Sequence, residues 1–480
     1  MASHRLAFTV WLALVPPAIA QPQTAAAALL QAGVTHERKG ELEEAARLYR
    51  EALKRSPKMA EALDRLGFVL GLQGRTDEAI AQFEEAVRLK PGLFDGWYHL
   101  GATLWWTHQS EASLAALREA VKLRPDHAEA RYYLALALKR NGDLAGATFH
   151  LRRVVRGNPT LAPAYLQLGV ALQEQADLTG AVASLRKALE LDPSLVDAAN
   201  SLGLALLQKG ESEEAVATFQ DLVTKHPEYL AARHNLGSAL MQQGDLEGAI
   251  AVYRELLRLD PGDAESHYNL GMSLKQKDDF TEAEVELKKA MAADPTLPEA
   301  PYTLAVVLWQ TGRAAEAVPL LRTTIARKPD HADAHYLLGT VLRQLGQTEE
   351  ALAEFRETIK VQPTSAEAHL SLGQLIQQKG DTAAAASAFA EAQRLNRKKA
   401  DAQAATFAVG VGLKRLKEKD ADGAIERFRE AVRLAPDYPE AHYQLALALQ
   451  ARGALEEARI HFEEARRLAP HLNPSEPSPR

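Results

Sequence analysis

The sequence predicts an all-α chain of stacked helical hairpins, and three observations predict it. Prolines fall at 57, 91, 125, 159, 193, 227, 261, 295, 329 and 363, each 34 residues after the last, and again at 436 and 470. Counted back from each proline as slot 32, small residues recur at two fixed slots. Between the prolines the composition favours helix: Ala and Leu are abundant and aromatics are only 6%.

The period comes first. Thirteen units start at 26, 60, 94, 128, 162, 196, 230, 264, 298, 332, 366, 405 and 439. Slot 8 is Gly in ten of them, Gly33 and Gly203 for example, and Ala in three (Ala135, Ala305, Ala446). Slot 20 is Ala in twelve and Ser113 in one. Slot 24 is always Leu, Phe or Tyr, and slot 11 is Leu or Ile except at His36 and Arg415. Slots 4, 7, 8 and 11 share one face of a first helix, and slots 17, 20, 24, 27 and 28 share one face of a second. Gly at slot 8 and Ala at slot 20 let the two backbones approach. Turns such as Gly142-Asp143 and Gly244-Asp245 separate the helices, and the proline stops the second one. Asp126-x-x-Glu129, Ser194-x-x-Asp197 and Thr364-x-x-Glu367 fit a capping box, or its Asp variant, for the next first helix. One hairpin cannot bury its own apolar face, so neighbours in series supply the partner.

A 34-residue period with large-x-x-Leu-Gly-x-x-aromatic, then Ala-x-x-x-Phe, then Pro, resembles the tetratricopeptide repeat over residues 26–472. The resemblance implies an α-solenoid of about thirteen helix-turn-helix repeats in a right-handed superhelix, and protein–protein interaction as its use.

The array is expected to break once. Arg397 stands where proline belongs, and five residues are inserted around "KKADAQ". Slot 28, apolar in the first ten units, becomes Gln393 in the eleventh, and it is read as part of the surface that receives the following repeat. The expectation is repeats 1–11 over 26–399, an insertion at 400–404 with a kink or joint near 396–404, and repeats 12–13 over 405–472. In the last unit slots 21 and 28 are Arg459 and Arg466, as a terminal repeat with a polar outer face requires. Residues 473–480 read as a proline-rich, disordered tail. Pro319, inside a second helix, is expected to bend it.

Residues 1–20, "MASHRLAFTVWLALVPPAIA", read as a secretory signal peptide cut after Ala20: Arg5, an apolar run from Leu6 to Val15, then Ala18 and Ala20 in an A-x-A arrangement. The alternative is an uncleaved anchor, though the run is short for a span and ends at Pro16-Pro17. No further span is expected, so the mature chain reads as exported, periplasmic or secreted. A net charge of −7 carries no basic surface for nucleic acid. The absence of cysteine excludes disulfides, thiol catalysis and thiolate metal sites.

Binding is expected on the inner face. In the resembled family, first-helix slots 5, 9 and 12 point into the concave groove. Slot 5 is Tyr at Tyr98, Tyr132, Tyr268, Tyr302, Tyr336 and Tyr443, and slot 12 is Trp at Trp105 and Trp309. Tyr98–Ala102–Trp105 and Tyr302–Val306–Trp309 each share a face, and Trp106 and Tyr133 thicken the first cluster. Exposed aromatic anchors suit an extended peptide or a sugar chain; the alternative is that the tyrosines only pack between adjacent first helices. Asn235 and Asn269, at slot 6, are similar to the asparagine ladder of O-linked N-acetylglucosamine transferases. The two-carboxylate clamp of chaperone-tail receptors is not expected, since no unit has Lys at slot 5. His267, His335, His369 and His442 share slot 4, which would place His335 near His369. No metal, cofactor or catalytic residue is expected: no nucleophile elbow, phosphate loop or zinc-protease motif is present. The leading reading is a non-enzymatic scaffold of the cell envelope or periplasm that binds a partner protein. The alternatives are a non-catalytic arm of a glycosyltransferase-like or polysaccharide-export machinery, although residues 473–480 leave no room for a catalytic domain, and a cytoplasmic adaptor if the signal is not cleaved.

Overall fold

The computed structural model describes residues 25–470, and among them it contains twenty-five helices and no strand. The signal sequence expected at 1–20, with its cut after Ala20, and the tail at 473–480 lie outside the described residues. Two compact units divide the chain at Pro261/Gly262. The first holds repeats 1–7 and the second repeats 8–13, each an α-solenoid of antiparallel hairpins packed in series.

Within a hairpin the close approach is set at slot 8. A Cβ added at Gly33 would stand 2.4 Å from the Tyr49 ring, at Gly203 2.4 Å from Phe219, and at Gly412 2.4 Å from Phe428. The side chain that occupies the space is therefore the slot-24 residue of the same repeat. Tyr49, Phe83, Phe219, Tyr253, Phe355 and Phe428 are all buried to 2% exposure or less, and each faces a slot-8 glycine. Where slot 8 is Ala135 or Ala305, slot 24 is the smaller Leu151 or Leu321, both fully buried. Phe462, opposite Ala446, stays half-buried. Leucine also faces glycine, at Leu117, Leu185 and Leu287, where an added Cβ would stand 2.6, 2.5 and 2.8 Å from the side chain, so slots 8 and 24 are in close contact throughout.

Slot 4 has a second use. Trp97 Nε1 donates to Pro91 O at 2.8 Å, Arg233 Nη1 to Pro227 O at 2.7 Å, and the Nε2 atoms of His335, His369 and His442 to Pro329, Pro363 and Pro436 O at 3.0, 3.2 and 3.0 Å. Arg131 Nε does the same to Pro125 O. Each slot-4 N–H thus satisfies the carbonyl of the proline that ended the previous helix. His335 and His369 each turn an imidazole nitrogen to their own proline carbonyl.

The other face of slot 4 meets slot 23. His335 Nδ1 lies 2.6 Å from Glu354 Oε2, and His442 Nδ1 lies 3.0 Å from His461 Nδ1. Because His442 donates through Nε2, its Nδ1 accepts from His461 Nδ1–H. Burial, and then His442, hold the His461 pKa below its ordinary value of 6.5. A depressed histidine stabilises the fold above its unfolded pKa and loses that contribution as pH falls through the folded value. Acidification from about pH 7 to about pH 5 should therefore loosen Leu455–Leu468 first. Hydrogen exchange of those amides checks this, with His461→Gln as the variant that should flatten the dependence.

The expectation about the N-terminal caps of the first helices changes. The first helix of repeat 4 (Ala128–Arg140) is capped by His127, whose ring accepts from Ala130 N, and that of repeat 11 (Ala366–Gln378) by Ser365, which accepts from Ala368 N at 3.2 Å. That of repeat 6 (Val196–Lys209) has no side-chain cap, and Ser194 instead gives its hydroxyl to Asp192 Oδ1 at 2.6 Å. Asp126, Ser194 and Thr364 are thus not the caps: the residues after the proline form a turn that moves the cap one residue on. The second helix of repeat 9 (Ala314–Arg327) continues through Pro319.

At 396–404 the structure replaces the expected kink or joint with continuous helix. Thr382–Lys417 is a single helix of 36 residues that joins the second helix of repeat 11 to the first of repeat 12. Without a proline at slot 32, the inserted Lys, Ala, Gln and Asp residues contain neither Gly nor Pro, and nothing stops the helix. Asn396, Arg397, Lys398, Lys399 and Ala400 are exposed, and beyond them Ala405 through Phe462 form a core of their own.

Candidate functional site: aromatic faces of the first helices

In the first unit the aromatic residues gather on repeats 3 and 4. Tyr133 stands between Tyr98, Trp105 and Tyr132, with ring centroids 6.2, 5.8 and 5.8 Å away. Tyr98 stacks on Phe94 at 5.9 Å, and Trp105 meets Trp106 edge-on at 4.8 Å. The arrangement follows from register: slot 6 of one repeat falls between slots 5 and 12 of the repeat before it. The same register brings Asp64 to His99 at 2.7 Å, and Asn235 Nδ2 to Asn200 Oδ1 at 2.7 Å. Tyr98, Trp105, Tyr132 and Asn235 are all half-buried: Tyr98 and Trp105 lie against Tyr133 of the next repeat, Tyr132 against Tyr133 of its own helix, and Asn235 against Asn200 of the preceding repeat.

Trp105 is distinguished further. Its indole Nε1 is the one buried side-chain nitrogen or oxygen among the described residues with no hydrogen-bond partner. Arg140 lies over its ring, 4.6 Å from the centroid, and donates to its carbonyl at 2.7 Å. Trp106 beside it is 46% exposed. Burial, and then Tyr133, push the Tyr132 hydroxyl up to about 12. Burial also raises Tyr98 and Tyr133, so these phenols remain uncharged plates with hydrogen-bonding rims.

In the second unit the candidates are spread over three repeats. Tyr268 Oη lies 3.4 Å from Thr303 Oγ1, Tyr302 packs on His331 at 4.8 Å, and Tyr336 on Phe355 at 5.7 Å. The Trp309 indole makes no hydrogen bond or ring contact among the described residues, although it is half-buried. Asn269 offers its backbone carbonyl to Ser273 Oγ at 2.8 Å and leaves its side-chain amide unengaged among the described residues. The structure thus builds a cluster around Trp105 and holds Trp309 apart from other rings. Asn200, His99 and Thr303 went unnoticed in sequence because their partners lie on the neighbouring repeat.

Family models match along the chain. Tetratricopeptide repeat models match residues 30–94, 98–162 and 415–474, and the model for the Cilia and flagella-associated protein 70 C-terminal domain matches 167–408. The chain belongs to the tetratricopeptide repeat family. None of the curated proteins matches it. Among solved structures, MamA is 30% identical over 34% of this chain and 96% of its own, with a TM-score of 0.33. YrrB, described as a tetratricopeptide repeat protein with an unusual peptide-binding site, is 20% identical over 39% of this chain and 97% of its own, with a TM-score of 0.38. A tetratricopeptide repeat protein from Parabacteroides merdae is 17% identical over 52% of this chain and 98% of its own, with a TM-score of 0.44. Among the described residues of this tetratricopeptide array, no helix is long and apolar enough to cross a membrane, and no group of three or more His, Asp or Glu is placed to hold a metal ion.

Proposed function

We propose that the chain is a non-enzymatic scaffold that holds an extended segment of a partner protein against the inner face of its repeats, in the cell envelope or periplasm after removal of residues 1–20. One observation carries this reading: the half-buried rings of Tyr98, Trp105 and Tyr132 gather around Tyr133, next to the exposed Trp106. The open sides of these rings and the Trp106 indole take apolar side chains of an extended segment. In the second unit Tyr268, Asn269, Tyr302, Trp309 and Tyr336 offer a second row of contacts.

The test is Trp105→Ala combined with Trp309→Ala, assayed by pull-down from envelope extract with circular dichroism as a control on folding. Partner capture should fall at least about tenfold. Full retention of every partner by a folded double variant overturns the reading, as does capture of soluble glycan with no protein. Export is checked by the mass of the mature N-terminus, and a cytoplasmic protein that begins at Met1 overturns that part.

A further inference from the structure

The long helix Thr382–Lys417 carries a face that the repeat stack leaves uncovered. In repeats 2–7 of the first unit and repeats 9–11 and 13 of the second, slots 3 and 10 are buried. Ala62, Ala130, Ala334 and Ala441 at slot 3, and Val69, Ala171, Val341 and Ala448 at slot 10, are all at 4% exposure or less. Gly96 shows why slot 3 must be small: a Cβ there would stand 3.0 Å from Val87 Cγ1, which is slot 28 of the preceding repeat. In repeat 12 these slots are Phe407 and Lys414, both exposed, Phe407 at 76%. The opposing surface of repeat 11 is uncovered as well, with Ala386 at slot 21 and Gln393 at slot 28 both exposed. Elsewhere an ion pair links slot 25 to slot 19 of the next repeat, as in Arg322–Glu350 at 2.7 Å and Arg429–Glu457 at 2.8 Å. Here those slots are Ala390 and Gly423. A phenylalanine at slot 3 does not fit the ordinary stack, so another repeat, from this chain or a second copy, is not what the face receives.

Charge identifies the occupant. From Arg394 to Lys419 there are eight Lys and Arg (Arg394, Arg397, Lys398, Lys399, Lys414, Arg415, Lys417, Lys419) against Asp401 and Glu418, in a chain of net charge −7. Arg394, Arg397, Lys398 and Arg415 are paired with Glu391, Asp401, Asp437 and Asp420. Lys399, Lys414 and Lys417 are exposed and have no carboxylate within ion-pair distance among the described residues. At 100° per residue Lys399 and Lys417 fall on one line five turns apart, about 27 Å, and Lys414 and Phe407 lie within roughly 80° of it. Gln403 and Gly410, between them, and Ala400, beside Phe407, are exposed and uncharged. The face is a row of unpaired ammonium groups with Phe407 and the less exposed Leu413 as its apolar side chains, and with small residues that let a second backbone come close.

We propose that this face docks an acidic amphipathic helix of a partner protein. Phe407 packs on its apolar stripe over Gly410 and Ala400, and Lys399, Lys414 and Lys417 meet its carboxylates. The site is separate from the Trp105 cluster and does not depend on it.

The full chain is titrated with a fluorescein-labelled 18-residue helical peptide with Leu along one stripe and Glu on either side, with its Gln counterpart, and with phosphatidylglycerol vesicles. The Glu peptide should bind, the Gln peptide should bind at least about tenfold more weakly, and added salt should weaken binding. Lys399→Glu with Lys414→Glu and Lys417→Glu, and separately Phe407→Ser, should each weaken it by at least about tenfold with unchanged circular dichroism. Trp105→Ala should leave it unaltered. The proposal is overturned if the Glu peptide does not bind, if the two peptides bind equally, if either variant binds as the parent does, or if vesicles bind and the peptide does not.

Discussion

Gly203→Leu should destabilise the hairpin of repeat 6 by about 3 kcal/mol or more. Even a single Cβ at Gly203 would stand 2.4 Å from Phe219 Cζ and 2.5 Å from Cε1, and Phe219 is fully buried with no room to withdraw. Urea unfolding followed by circular dichroism reads the effect, and an unchanged midpoint would refute the close-approach account of slot 8. A cycle sharpens the test. Gly203→Ala alone should destabilise by roughly 1–3 kcal/mol, and Phe219→Leu alone by a cavity of similar consequence. Together they should recover much of the loss, because Ala–Leu is the pair repeats 4 and 9 already use at Ala135–Leu151 and Ala305–Leu321. Additive losses would mean that the two slots do not share one volume.

Ala402→Pro should cut the long helix in two. Proline there removes the amide that bonds back to Lys398 and sets its ring against that carbonyl, which costs about 3 kcal/mol or more in a helix interior. Ala402 is exposed, so no packing confounds the result. Helical signal should fall by a turn or two, and limited proteolysis should nick the chain near 402. The core of repeats 12 and 13, from Ala405 to Phe462, should survive as a protected fragment. A variant as resistant to protease as the parent would show that the helix is not continuous in solution.

The hairpins, their number and their small-residue contacts were legible because a period of 34 repeats the same packing problem thirteen times, and each solution checks the others. The break was legible only as a missing proline at Arg397. Once the stop is lost, the helical propensity of the next residues decides the outcome, and Lys, Ala and Gln continue a helix. The cap positions slipped by one because the turn after proline consumes a residue that a linear spacing rule does not count. Slot 4 was open to a fuller reading: Trp97, Arg131, Arg233, His335, His369 and His442 all carry side-chain N–H donors six residues after a proline. The contact of slot 6 with slots 5 and 12 of the preceding repeat was not open to it. That contact is set by the rotation between successive hairpins, which no spacing within one helix encodes. Asn200–Asn235 and Tyr268–Thr303 are its products.

Thirty-six residues at 1.5 Å each make Thr382–Lys417 a rod of about 54 Å. With Asn396 to Ala400 exposed at its midpoint, such a rod is a mechanical lever. A tilt of about 5° at one end sweeps the other through roughly 5 Å, and an axial pull travels along an unbroken ladder of backbone hydrogen bonds. Strain applied to the last two hairpins is therefore delivered whole to the eleventh, with no hinge in between to absorb it.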